Sequence, residues 1–342
     1  MKDLLIKLAN GNDLSETEAE MAMHLMMDGS ATEVEISAYL TLLRSKGETI
    51  SELTGSARAM RDHALTVHAP SEILVDTCGT GGDEAGTFNI STTAAIIAAA
   101  AGVPVAKHGN RAASSRSGSA DVLEALGVVI ELTPEQATLC LRQTGLSFLF
   151  AQSFHPAMKQ VAPVRRALGF RTMFNILGPL TNPARPKRQV LGTPSLEIAR
   201  KMANVLKNLG MDHALVVHSD DGLDELSIAG ASRVFEVKGD QLREFVVTPA
   251  NFGLTVAPLA EVRGGSPTDN AHMIEQILNG ESGARRDIAV MNAAAAIYVS
   301  GLADTLGSAT AIAKAAIDSG AATRTLERLR TVTKGLVKGI GA

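Results

Sequence analysis

Ile73-Leu74-Val75-Asp76, Val103-Pro104-Val105-Ala106-Lys107-His108 and Ala214-Leu215-Val216-Val217-His218-Ser219 are short β-rich runs. Apolar helical stretches lie between them, as at residues 92–101 and 120–126. Strands that alternate with helices predict an α/β fold around a mostly parallel central sheet. Before Pro70 the pattern is helix after helix, with apolar residues at helical spacing in Leu4, Leu5, Leu8 and again in Met21, Met23, Leu25, Met26. Ser15 followed by Glu18 forms a capping-box pattern, and Ser30 or Thr32 can open the next helix, which carries Ile36, Leu40 and Leu43. Residues 155–186 break the alternation with two helix-like pieces parted by Pro163, then a Pro-punctuated stretch. The expected organisation is a small all-helical domain, 1–68 with roughly 163–190, and a larger α/β domain, 70–162 with 191–342. Ala-rich runs at 94–101 and 293–297 read as close-packed helices.

With 342 residues and 45% hydrophobic content, the chain is long enough for two cores. A net charge of −4 provides no basic field for nucleic acid, and aromatics at 3% with no Trp provide no stacking platform for single strands. The first 25 residues carry acidic groups and no uninterrupted apolar segment, so no secretory signal is expected. The most apolar run, 94–101, is far shorter than the roughly 20 residues a bilayer requires. Cys78 and Cys140 form neither a disulfide framework nor a metal-ligand spacing. These features predict a cytoplasmic protein without membrane or nucleic-acid partners.

Four segments carry chemistry. Val75-Asp76-Thr77-Cys78-Gly79-Thr80-Gly81-Gly82-Asp83 runs from a strand into a glycine-rich loop, and Asn89-Ile90-Ser91-Thr92 then opens a helix. Glycines let backbone N–H groups approach an anion, and a helix start adds free donors. Taken alone, the loop reads equally well as a phosphate cradle or as a tight turn with an ordinary cap. Residues 107–121, KHGNRAASSRSGSAD, place one Lys, two Arg and four Ser at the same edge of the sheet, which suits a ligand with two anionic ends. Asp220-Asp221-Gly222-Leu223-Asp224-Glu225 follows a strand; it is an acidic surface turn by itself and a magnesium site beside two phosphate loops. The Arg165-Arg166 pair after Pro163 could be a solvated face, a salt bridge or a carboxylate fork.

Together these segments resemble the anthranilate phosphoribosyltransferase family, which has the nucleoside phosphorylase/phosphoribosyltransferase-like fold. The matching strings are DTCGTGGD (76–83), NIST (89–92), KHGNRAASSRSGSAD (107–121), HPAMK (155–159), PVRRALGFRT (163–172), FNILGPLTNPA (174–184) and DGLDE (221–225). The resemblance implies a homodimer formed through the helical domains and transfer of a phosphoribosyl group from 5-phosphoribosyl 1-diphosphate (PRPP) to the amine of anthranilate. Carried over, Gly79, Gly82, Asp83, Thr87, Asn89, Ile90, Ser91, Thr92, Lys107, His108, Gly109, Asn110, Arg111, Ala112, Ala113, Ser114, Ser115 and Ser119 would hold PRPP. Gly79, Asn110 and Arg165 would contact anthranilate, with His108 and His155 as neighbours. Ser91, Asp224 and Glu225 would serve two Mg2+ ions. No residue stands out as an acid, base or nucleophile; positioning and electrostatics would carry the reaction. The alternatives are a pyrimidine nucleoside phosphorylase-like enzyme and a non-catalytic relative that binds PRPP or nucleic acid.

Overall fold

The computed structural model describes residues 1–69, 71–83, 85–112 and 116–339. Four helices come first: α1 (Lys2–Ala9), α2 (Glu16–Met27), α3 (Glu33–Lys46) and α4 (Ile50–Asp62). Three of them start on capping boxes, Ser15 with Glu18, Thr32 with Glu35 and Thr49 with Glu52, so each satisfies two otherwise orphaned N–H groups with its own side chains. Their buried faces meet through Met23, Met26, Tyr39, Leu40, Leu43 and Leu53.

The chain then builds β1 (Val75–Gly79), α5 (Ile90–Ala100), β2 (Val105–Gly109), α6 (Ser119–Ala125), α7 (Pro134–Thr144) and β3 (Leu146–Phe150). Short helices α8 (Ala151–Phe154), α9 (Ala162–Leu168) and α10 (Phe174–Leu177) follow. Pro163 lies in the first turn of α9, where its missing N–H costs nothing. Next come β4 (Arg188–Gly192), α11 (Leu196–Asn208), β5 (His213–Ser219), β6 (Ser232–Lys238) and β7 (Gln241–Val247). The last helices are α12 (Pro267–Leu278), α13 (Ala284–Ser300), α14 (Leu306–Asp318) and α15 (Ala321–Val337).

The seven strands form one sheet in the order β3-β2-β1-β4-β5-β6-β7. Pairing is parallel from β3 through β5 and antiparallel at β5-β6 and β6-β7. The alternating pattern predicts this mostly parallel sheet but does not mark β3, β4 or the β6-β7 hairpin. Strand order runs outward through β1, β2, β3 and then reverses to β4 on the other side of β1. Loops leave this switch point in opposite directions and open a crevice at the carboxyl ends of the strands.

Two cores hold the molecule. One contains the N-terminal helices, Val161, Val164, Phe174 and Leu177, and continues through α11 to Val216 and Phe235. The other fills the space between the sheet and α5, α7, α13 and α15. Ala94, Ala95 and Ala98 of α5 and Ala293 to Ala296 of α13 are completely or almost completely buried, so the alanine runs are close-packed helices, as expected.

Candidate active site

At the switch point β1 and β4 end in register at Gly79 and Gly192, and the Thr80 N–H donates to the Gly192 carbonyl at 2.9 Å. The loop after β5 is laid against this pair. A Cβ on Gly79 would stand 2.6 Å from Asp224 Oδ2, and one on Gly192 would overlap the Asp224 carbonyl oxygen. Two strand-end glycines are therefore what admits Asp224 to the floor of the cleft. The acidic loop is held from beneath: Asn292 of α13 accepts from the Leu226 N–H and donates to the Leu226 carbonyl, both at 3.0 Å.

Asn89 precedes α5, yet its side chain does not cap that helix. Its amide donates to the Ser117 carbonyl at 3.0 Å, and its oxygen accepts from Ser117 Oγ at 3.1 Å and Asn270 Nδ2 at 2.9 Å. The first turn of α5 is therefore left without a cap from its own Asn89; Ile90 and Ser91 line the cleft there, and the Ser91 backbone and hydroxyl meet the Glu225 carboxylate. An uncapped helix start is a ready anion site.

The second loop is stiffened by its own charges. Asp121 of α6 accepts from the backbone N–H groups of Ala112 and Gly118, each at 2.9 Å. The Arg111 guanidinium pairs with Asp121 at 3.1 Å and with Glu124, over the Phe150 ring. Arg111 thus lines the cleft while its charge is already partnered. Lys107 is 2% exposed and donates to the Thr77 carbonyl. Asp76, beneath it, receives the Asn182 amide at 2.9 Å and the His108 N–H at 3.1 Å, so residues far apart in sequence clamp β1 to β2.

The carboxylates are poised for a cation. Burial, with Glu225 and Asp83 beside it, pushes the Asp224 carboxyl well above the usual range. Burial also raises Glu225, opposed by Lys107 and by hydrogen bonds from Ser91. Two crowded acids that resist ionisation together, with Asp83 beside them, are a set whose charge a hard divalent ion would neutralise.

Arg165 and Arg171 also line the cleft. Arg165 of α9 is half-buried, sits 5.2 Å over the Phe174 ring and has no ion pair among the described residues. Burial lowers its pKa, meaning that its charge is incompletely solvated. Arg171 packs against Gly82, where φ is +89° and a Cβ would collide with the guanidinium. His108 Nδ1 lies 3.1 Å from the Gly178 carbonyl, and its ring is 5.2 Å from that of His155. Burial first, then the neighbouring His155, drives His108 down to about 3; burial drives His155 to about 4. Both imidazoles are neutral at pH 7, and among the described residues each leaves Nε2 unpartnered.

The cleft encloses about 420 Å³ and brings together Gly79, Gly82, Asp83, Thr87, Asn89, Ile90, Ser91, Lys107, His108, Gly109, Asn110, Arg111, Ala112, Ser119, Arg165, Asp224 and Glu225. Thr92 is buried on α5 and is not on the wall; His155 stands behind His108. Ala113, Ser114 and Ser115 lie outside the described residues. Sequence reasoning misses Arg171, Asn175 and Arg116, which also line the cleft. Arg171 and Asn175 follow the Gly169 that ends α9, inside quoted strings but with no spacing to mark them.

Residues 2–64 match the helical bundle domain of a glycosyl transferase family, and residues 71–323 match its a/b domain. Anthranilate phosphoribosyltransferase of Symbiobacterium thermophilum is 50% identical over 336 residues, covering 98% of each chain. The crystal structure of anthranilate phosphoribosyltransferase from Thermus thermophilus superposes with a TM-score of 0.91 at 44% identity, over 96% of this chain and 99% of that one. The Saccharomyces cerevisiae enzyme in complex with PRPP and Mg superposes at 0.88 with 29% identity and 97% coverage of both chains. The same yeast protein in complex with 4-fluoroanthranilate gives 0.87 at 26% identity, over 98% and 99%. With full-length relatives at half identity and a cleft assembled from all four marked segments, the chain belongs to the anthranilate phosphoribosyltransferase family.

Proposed function

We propose that the cleft joins PRPP to anthranilate, giving N-(5-phosphoribosyl)anthranilate and diphosphate for tryptophan biosynthesis. The observation that carries this reading is the arrangement at the switch point. Crowded, protonation-prone Asp224 and Glu225, the start of α5 that Asn89 does not cap, and Arg165 over Phe174 line one cleft. The loop at 79–83, the α5 start and the loop at 107–119 hold the phosphates of PRPP. Asp224, Glu225 and Ser91 fit magnesium by charge and oxygen chemistry, and we assign them two ions. Magnesium supplies neutralisation of the charge that develops on the diphosphate leaving group.

Anthranilate enters between Gly79, Asn110 and Arg165, its carboxylate on the Arg165 fork. Its aromatic amine is neutral near pH 7 and attacks ribose C1 as the C1–O bond to diphosphate breaks. C1 passes through an oxocarbenium-like state, and the amine sheds one proton after attack. The neutral His108, backed by His155, fits a hydrogen-bonding role beside the aromatic ring and does not fit a cationic one. Holding amine and C1 in line supplies most of the acceleration. The homodimer is assigned to the N-terminal helices, where Ile6, Met21 and Val34 are exposed. No described helix is long and apolar enough to cross a membrane; the cytoplasm is the proposed location. The test is direct: chain, PRPP and Mg2+ together should deplete anthranilate fluorescence, and omission of any one of the three should preserve it.

A further inference from the structure

Remote from the cleft, helices α2 and α4 pack closely enough that a Cβ on Gly55 would overlap the backbone of Glu16. Glu20 and His24 are four residues apart on α2 and so share one helix face. Asp62 ends α4 and meets that face. One ligand atom each from Glu20, His24 and Asp62 lie within 4.8 Å of one another. His63 brings a second imidazole, its Nε2 3.0 Å from His24 Nδ1. His63 is in turn 3.8 Å from Asp28. Glu20, His24 and His63 are half-buried and Asp62 is exposed, so the group is held yet open to solvent.

From this geometry we infer that Glu20, His24 and Asp62, with His63 beside them, form a second metal site that takes a divalent transition ion such as Zn2+. One imidazole and two carboxylates are a nitrogen-and-oxygen donor set; imidazole suits Zn2+ and is foreign to Mg2+. The i, i+4 spacing and the tight α2-α4 contact preorganise the donors. A second imidazole against the first also matches what metal-bound histidines need, a partner on the other ring nitrogen. The Arg185 guanidinium pairs with Asp62 Oδ1 at 3.0 Å, which leaves the other carboxylate oxygen for the ion. Asp62 starts the crossing to the α/β domain, where the Leu65 N–H donates to the Phe154 carbonyl and the Val67 N–H to the Pro183 carbonyl. An ion here would tie α2 to that crossing.

The experiment uses the full chain, stripped by chelator and then held in millimolar Mg2+ so that the cleft carboxylates are occupied. Zn2+ is titrated by calorimetry, and Co2+ by its visible d–d absorption. The expected result is one tight equivalent per chain, a higher melting temperature with Zn2+, and a d–d band typical of nitrogen ligation. Glu20→Gln and His24→Gln should each weaken binding by at least about tenfold and abolish the Zn2+-dependent melting shift. Metal-free melting and circular dichroism show whether each variant is folded; Glu20→Gln, a near-isosteric change on a half-buried side chain, serves if His24→Gln is not. Absence of a stoichiometric equivalent in excess Mg2+ would overturn the inference. So would an equivalent retained by Glu20→Gln but lost in Glu225→Gln, which would place the ion in the cleft.

Discussion

Replacing Arg165 with Ala should raise the Michaelis constant for anthranilate while leaving PRPP affinity and melting temperature almost unchanged. Arg165 is half-buried, rests over Phe174 at 5.2 Å and has no carboxylate partner among the described residues, so little of the fold depends on its charge. Losing one side of a buried ligand ion pair costs about 2–5 kcal/mol. Because Arg165 keeps part of its solvation, the lower half of that range applies, about 2–3 kcal/mol. That corresponds to roughly 30- to 150-fold in the anthranilate constant. The assay is the initial rate of fluorescence loss against anthranilate at saturating PRPP and Mg2+, repeated with aniline and read as diphosphate release. Wild type should prefer anthranilate over aniline, and Arg165→Ala should lose that preference. Arg166, exposed on the same helix, is the control. Retention of full discrimination by Arg165→Ala, or the same selective loss in Arg166→Ala, would refute the carboxylate assignment while leaving the phosphoribosyl site intact.

Asp224→Asn and Glu225→Gln should each cut turnover and raise the Mg2+ requirement. In the metal-free state they should also melt higher than wild type. Both carboxyls are raised by folding, so the pair favours the fold at acidic pH and this contribution is lost as pH rises through the folded-state values. The variants' melting advantage should therefore be largest at neutral pH and above, and fade below the ordinary carboxylate range; a pH-independent difference would contradict it. Glu236 is the opposite case. Although burial opposes its ionisation, His213 at 2.7 Å, Tyr298 at 2.8 Å and Arg243 hold it near 2. Its stabilising contribution is present above about 4.5 and lost as pH falls toward 2, so Glu236→Gln should cost about 3 kcal/mol at pH 7 and much less near pH 3, measured by urea melts at both pH values. Gly192→Ala should destabilise by about 1–3 kcal/mol through its collision with the Asp224 carbonyl. It should also abolish Mg2+-dependent turnover; an active, stable variant would show that the strand-end contact is dispensable.

Much of this architecture is legible in the chain because local chemistry and final environment agree. Ser15 with Glu18 marks the start of α2, and the apolar runs around 103–108 and 214–219 lie on β2 and β5. Disagreement arises where polar groups are buried with partners distant in sequence. The apolar run predicts a first strand at 73–76, but β1 runs Val75–Gly79, since Asp76 and Thr77 are inside the sheet and Asp76 is satisfied by Asn182, 106 residues away. Strand β4, Arg188–Gly192, hides for the same reason: buried Gln189 donates to the Pro179 carbonyl at 2.7 Å, which no periodicity reveals. The β6-β7 hairpin, which the strand-helix alternation does not mark, could have been found from the Gly239-Asp240 turn, with φ +55° at Gly239. Within the cleft, the acidic loop and the two loops at 79–83 and 107–119 are readable as lining segments from composition and order. Arg171 is not, because its place is set by the turn after Gly169 and its packing on Gly82.

The reversal of strand order between β1 and β4 has a kinetic consequence. Gly79, Lys107, Arg165 and Asp224 are brought together only after the chain has threaded outward through β3, returned past β1 and laid down β5. Closing such long loops is slow and yields nothing to a ligand until the last wall arrives. Partially folded chains, even those with the helical bundle intact, would carry an incomplete cleft. Ligand-binding stoichiometry in a refolding or expression sample therefore counts finished molecules, and it should lag behind the recovery of helical circular dichroism.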